Sequence, residues 1–320
     1  EDARTALDLL ERMEGGETID EVVLARLAGT KDVGVRVDMI RVLGERRSAG
    51  AVDDLLALAR DDEPKVRVAA LRSMRRMVGP AEVPALIAVV EAEPDDTVRA
   101  AAIAPLVSAC GDDPAAGELI LDELKQATDP RNHDVWTRVI TAVGYPGALS
   151  TVQAGLESDD PEVVAYTANR LADWPDPAPI ESLLTVMEAS TEPEVRGRTC
   201  AAVIQLATRA AEERQRPDDV LVGWLGRASA AADSVQEKRQ LVSGLARVHT
   251  LDSLRVLEPY LRDPEVVGEA QYALLSIGSP LARAGHGAEV ARVLPEEAAI
   301  EDQDLRWRFG RLRSQAEGAE

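Results

Sequence analysis

Few side chains in this 320-residue sequence have the type and spacing to do chemistry at a fixed site. The three histidines are His133, His249 and His286. A metal centre needs ligands that converge, commonly two histidines one helical turn apart. No two of these share such a face, so no metal is expected. Cys110 and Cys200 sit among apolar neighbours on helical patterns and read as small buried hydrophobes, unpaired and far apart. Acid pairs recur at Asp61-Asp62, Asp95-Asp96, Asp112-Asp113, Asp159-Asp160 and Asp218-Asp219. Glycoside cleavage needs two carboxylates across one cleft. Pairs that repeat along the chain instead read as charges placed at helix starts. No nucleophile elbow, phosphate loop, dinucleotide fingerprint or calcium loop is present. The chain is therefore expected to be no enzyme and to carry no cofactor. Trp174, within Asp173-Trp174-Pro175-Asp176-Pro177, has two readings. It is an exposed anchor for a partner, or its ring covers the join between two repeats while Pro175 stops the helix.

Composition narrows the ligand class. The 36 basic and 57 acidic residues leave a formal charge of −21, which opposes binding to a phosphate backbone. Four Trp, four Tyr and one Phe are too few for a groove built on stacking. No apolar run approaches the roughly 18 residues of a membrane span. The sequence opens on Glu1 with no charged-then-apolar leader after it, so any export signal is absent or already removed. Cytoplasmic and exported locations both remain open.

The elements that must position these side chains come from a repeat. Asp61-Asp62-Glu63-Pro64-Lys65-Val66-Arg67 returns as Ser190-Thr191-Glu192-Pro193-Glu194-Val195-Arg196. Ser158-Asp159-Asp160-Pro161-Glu162-Val163 and Arg262-Asp263-Pro264-Glu265-Val266 follow the same plan. Valine anchors fall at 35, 66, 98, 135, 163, 195 and 266, with a degenerate copy near Glu237. From 35 to 266 in seven steps the mean period is about 33 residues, the length of a stacked helix pair. After each anchor apolar residues recur on one helical face: Val66, Ala70, Met74 and Met77 in the second repeat, Val266, Ala270, Leu274 and Ile277 in the eighth. Gly44, Gly79, Gly111, Gly144 and Gly278 fall where second helices are expected to stop. The expectation is an all-α chain, a right-handed α-α superhelix of about eight helix pairs. Residues 1–17 form an N-terminal cap, 18–280 the repeats and 281–320 a C-terminal cap and tail, all one domain. Ala6, Leu7, Leu10 and Met13 supply the first cap, and Trp307, Phe309 and Leu312 the last. Residues 210–218 read as an expanded inter-repeat loop, and 314–320 as frayed.

The Pro-x-Val-Arg anchor followed by an Ala-rich helix resembles the HEAT repeat, near its bacterial HEAT-like branch. The resemblance implies that the Arg after the Val ties adjacent repeats through an acidic loop residue. The matching positions are Arg36, Arg67, Arg99 and Arg196, whereas Trp136, Val164 and Val267 depart from it and interrupt any such ladder. A narrower stretch, Asn169-Arg170-Leu171-Ala172-Asp173-Trp174-Pro175-Asp176, looks like HEAT segments of large planctomycete and verrucomicrobial multidomain proteins. Those segments often adjoin a sugar-active or haem-binding domain, which implies that this chain is one domain of a larger, exported protein.

The function expected is a non-catalytic scaffold that binds a protein partner or a neighbouring domain, with a basic partner favoured by the charge. The alternative is a structural spacer packed against a catalytic domain. HEAT-like DNA glycosylases and bilin lyases are the enzyme classes left; the acidic balance opposes the first, and no motif supports the second. The candidate partner-binding residues are acids expected on first helices away from caps, Asp53, Asp54, Glu123 and Glu181, together with Trp174.

Overall fold

In six of the eight repeats the second helix starts at an acidic N-cap residue. In the third repeat, Asp95 Oδ1 accepts from the N–H groups of Thr97 (2.7 Å) and Val98 (3.2 Å). Asp113, Asp129 and Asp160 do the same at the starts of later helices, each followed by Pro in the first helical position. These acids are therefore caps, which is why they recur with the helices; Glu63 and Glu192 hold the same position without a side-chain capping bond.

A computed structural model describes residues 16–296, 300 and 302–318. Among them are 18 α-helices and no strand. They form eight consecutive pairs: α1 (Gly16–Gly29) with α2 (Val33–Arg46), α3 (Val52–Leu58) with α4 (Pro64–Met74), α5 (Val83–Ala92) with α6 (Asp96–Cys110), and α7 (Pro114–Gln126) with α8 (Pro130–Val143). The series continues with α9 (Leu149–Gln153) and α10 (Pro161–Leu171), α11 (Ile180–Ala189) and α12 (Pro193–Glu212), α13 (Asp218–Ser229) and α14 (Val235–Leu245), and α15 (Leu251–Leu257) and α16 (Val267–Arg283). A further pair, α17 (Gly287–Val293) and α18 (Gln303–Glu317), follows the eighth. The expected count of pairs and their order hold. The cap residues Ala6, Leu7, Leu10 and Met13 lie outside the described residues.

The chain divides into two compact units, one ending at Leu149 and the other starting at Ser150. Within each, consecutive second helices pack on one another and the first helices pack on their own partners, except that α10 is met by the 3-10 turn Ala154–Glu157 that follows α9. The anchor stripe forms the core: Val66, Ala70 and Met74 in one unit and Val266, Ala270, Leu274 and Ile277 in the other are all at most 1% exposed.

Several local expectations need correction. Gly44 and Gly278 lie inside helices and end none. A Cβ on Gly44 would sit 2.7 Å from Ser73 Cβ, and one on Gly278 would sit 2.9 Å from Leu312 Cδ2. Both are notches that admit a neighbouring helix. Gly144, with φ of +68°, is the left-handed helix stop that was expected. In the fifth repeat Val164 is buried and Val163 is 40% exposed, so the anchor is shifted by one residue. Helix α12 runs on to Glu212, which shrinks the 210–218 interruption to a short loop in which Arg214 takes φ of +54°. Helix α18 reaches Glu317, so 314–317, expected to fray, are helical; residues 319 and 320 lie outside the described residues. Phe309 and Leu312 are buried as expected, but Trp307 is 62% exposed, with the Arg311 guanidinium 5.3 Å above its ring.

Candidate partner-binding surfaces

Three of the four arginines that follow an anchor, Arg36, Arg67 and Arg99, spend charge between repeats. Arg36 donates from Nη1 to Asp61 Oδ1 at 3.1 Å and pairs with Oδ2 through Nη2. The guanidinium holds the Asp61 carboxyl below the usual carboxylate range. Arg67 places Nη2 3.0 Å from Glu93 Oε1 and Nε 2.8 Å from Oε2, the latter an ion pair without hydrogen-bond alignment. Its Nη1 also donates to the carbonyls of Asp61 and Asp62. Arg99 reaches Asp129 at 3.9 Å and Asp96 at 2.9 Å. Asp129 is pulled down to about 2, chiefly by hydrogen bonds from Arg131. Arg196 makes no ion pair or side-chain hydrogen bond among the described residues, so the ladder lacks a rung there as well. Lys238 restores it one repeat later, with Nζ 2.9 Å from Asp263 and 2.8 Å from Glu265. Sequence reasoning missed Lys238 because its repeat has lost the valine anchor, although Lys238 occupies the position after it.

The candidate acids are less available than expected. Asp53 and Asp54 are exposed, but they lie in the first turn of α3, where the helix dipole already favours them. Glu181 is also a first-turn residue, and it accepts from Trp224 Nε1 at 2.7 Å and Arg227 Nη1 at 2.9 Å. Glu188 grips the same Arg227 through Nε (2.7 Å) and Nη2 (3.0 Å). Glu181 therefore serves the packing of α11 on α13 and is not spare. Glu123 alone lies away from a helix start. Partial burial, the facing Glu91 and the adjacent Asp122 push its carboxyl up from the ordinary range. Trp174 is 1% exposed, so it cannot be the exposed anchor; its carbonyl and that of Ala172 receive hydrogen bonds from Arg209.

The other candidates behave as small structural parts. Both thiols are buried, which pushes Cys110 up to about 11 and Cys200 up to about 12. Among the described residues, no three His, Cys, Asp or Glu side chains gather as a metal cluster. No described helix is long and apolar enough to cross a membrane.

Two adjoining concavities on the second-helix row of the first unit were not foreseen. A groove of about 620 Å³ between α2, α4 and the start of α6 is lined by Val37, Val68, Ala69 and Val98. Arg41, Lys65 and Arg72 also border it. Sharing Arg41, Arg72 and Ser73 with it is a second hollow of about 540 Å³, where Arg47, Arg75 and Arg76 join. The lining follows helical spacing, 37, 41 and 44–45 on α2 and 65, 68–69, 72–73 and 76 along and just past α4. This stripe is separate from the buried one of Val66, Ala70 and Met74.

The comparisons with known proteins agree with this architecture. Residues 21–106 match the family model for HEAT repeats. No curated protein matches the chain. Among solved structures, Kap121p is 12% identical and superposes with a TM-score of 0.56 over 97% of this chain and 39% of its own. Kap121p bound to Nup53p gives the same values. The complex of CpcE and CpcF of phycocyanin lyase from Nostoc sp. is 21% identical over 77% of this chain and 95% of that one, but superposes loosely, with a TM-score of 0.40. The chain thus spans about two-fifths of the length of Kap121p, and what the two have in common is the fold: an all-helical solenoid fold among the described residues, with HEAT repeats matched over residues 21–106.

Proposed function

We propose that the chain is a non-catalytic scaffold that holds a segment of another protein in the groove between α2, α4 and α6. The observation that supports this is the aliphatic lining of that groove. Val37, Val68 and Ala69 remain partly open to solvent although their helices are already packed through another face. Apolar surface left in a concavity is the usual setting for an anchoring side chain. Kap121p has been solved bound to Nup53p, so a protein ligand is compatible with the solenoid fold. Among the described residues, five large apolar side chains stand out elsewhere, Val22, Leu119, Val163, Tyr272 and Trp307, one to a helix. That spread favours a local binding groove over a long apolar edge packed on a neighbouring domain.

Val68→Asp tests the reading, because it puts a charge on the groove wall without touching the core stripe. Proteins cross-linked to the wild-type chain in cells of its source are compared with those cross-linked to the variant. Loss of specific proteins with the variant is the expected result. An unchanged set with a folded variant rejects the groove as the binding surface.

A further inference from the structure

Resting on the scaffold reading, we infer that the groove and its adjoining hollow take an acidic peptide segment: an aliphatic anchor in the groove, followed by carboxylates along the arginines. Six cations border the two concavities, Arg41, Arg47, Lys65, Arg72, Arg75 and Arg76, against two acids, Glu45 and Asp95. This is a local reversal of sign in a chain of net charge −21. Asp95 directs its Oδ1 to the N–H groups of Thr97 and Val98, and even with its charge counted the cations outnumber the acids by six to two. Arg47, Arg72, Arg75 and Arg76 are exposed and make no ion pair or side-chain hydrogen bond among the described residues. That sets them apart from Arg36, Arg67 and Arg99, which hold the ladder together.

Placement at the ends of α2 and α4 explains only part of this. A helix C-terminus favours a cation within its last turn, and Arg47 and Arg75 stand at those ends. Two such ends side by side also bring their arginines together, and the resulting repulsion is relieved by an anion. Arg72 belongs to both concavities, so an occupant of one continues into the other.

The lining also selects the class of anion. A nucleic acid strand needs base-stacking surfaces and a long basic track. No aromatic residue lines either hollow, and the surplus of acids elsewhere repels a long polyanion. Aliphatic walls beside guanidinium groups fit an aliphatic side chain next to carboxylates, which arginine can grip with two parallel hydrogen bonds.

The test uses the full chain and fluorescence anisotropy with a dye-labelled peptide that carries one leucine beside a run of glutamates. Matched probes replace the leucine by serine, or the glutamates by glutamines, and an oligothymidine of equal charge is the fourth. Saturable binding of the acidic leucine peptide is expected, weakened by added salt. Arg72→Glu with Arg76→Glu is expected to weaken it about tenfold or more, and loss of the leucine about tenfold. Arg60→Glu, an exposed arginine outside both concavities, should leave binding unchanged, and circular dichroism should match wild type for both variants. The inference is overturned if no probe saturates, if the Arg60 variant weakens binding as much, or if oligothymidine binds more tightly. Equal binding of the glutamine peptide would also overturn it, but would leave the groove as a scaffold site for an uncharged segment.

Discussion

Removing the guanidinium of Arg67 should be the most damaging single change to the inter-repeat ladder. The Arg67 and Glu93 side chains are 12% and 4% exposed, so their pairing is screened little by solvent. Arg67→Met keeps the aliphatic stem but leaves the Glu93 carboxylate buried with one remaining donor, the N–H of Asp95 at 2.9 Å. Breaking one side of a buried pair costs about 3–5 kcal/mol, mostly because the surviving charge is stranded. Loss of the bonds to the Asp61 and Asp62 carbonyls adds to that. Arg36→Met, whose pair is 18% and 17% exposed, should cost less. Arg131→Met, with a side chain 53% exposed, should stay within about 1 kcal/mol. Urea unfolding of the three variants gives the ranking, and hydrogen exchange shows whether the loss centres on α4 to α6. Adding Glu93→Gln to Arg67→Met removes the stranded charge and keeps an acceptor for Asp95, so most of the loss should be recovered. A variant of Arg67 no worse than that of Arg131, or no recovery in the double variant, would refute a buried charged rung as the source of the coupling.

Glu123→Gln should stabilise the fold at neutral pH by a few tenths of a kcal/mol after solvent screening. The Glu123 carboxyl is raised in the folded chain, so its penalty is fully present above that raised value and vanishes as pH falls to the ordinary glutamate range, about 4. The advantage of the variant in thermal unfolding should therefore disappear on acidification; an advantage that persists below about pH 4 would contradict this. Asp129 has the opposite sign, and the stability it contributes above the ordinary carboxylate range should be lost only as pH falls toward about 2. Leu274→Ala should cost roughly 2–5 kcal/mol, with faster hydrogen exchange concentrated in the C-terminal repeats, and wild-type exchange there would show the register to be wrong. Cys110 and Cys200 should resist thiol reagents at about pH 8 until the chain unfolds; rapid labelling of the native protein would contradict their burial.

What was legible in the sequence was whatever repeats locally. The acid-Pro-x-Val-Arg anchor announces a helix start and a core valine within a few residues, so pair count and core stripe could be read from spacing, while most rungs could be read only through the resemblance to HEAT repeats. Features that depend on a neighbour in space were not. Gly44 looks like a helix stop until Ser73 is seen pressing against it. Glu181 looks spare until Trp224, 43 residues on, donates to it. The basic hollow was hidden because net charge averages over the chain, while Arg41, Arg47, Arg72, Arg75 and Arg76 gather only when α2 packs on α4. The pairing of Arg72 with Arg76 one turn later was the visible hint.

The rungs also bear on how such a chain can change length. Arg36 meets a residue 25 positions on, Arg67 one 26 positions on and Lys238 one 25 positions on. Each bond is therefore written almost entirely within a single period, and duplicating or deleting one whole period rewrites a single seam while every other rung keeps its partner. The notch at Gly278 is different, since the atoms nearest it belong to Leu312 of α18 and Val290 of α17, both outside the repeated unit. Recombination between repeats can thus lengthen or shorten the array from within, while α18 must stay with α16, whose notch it fills.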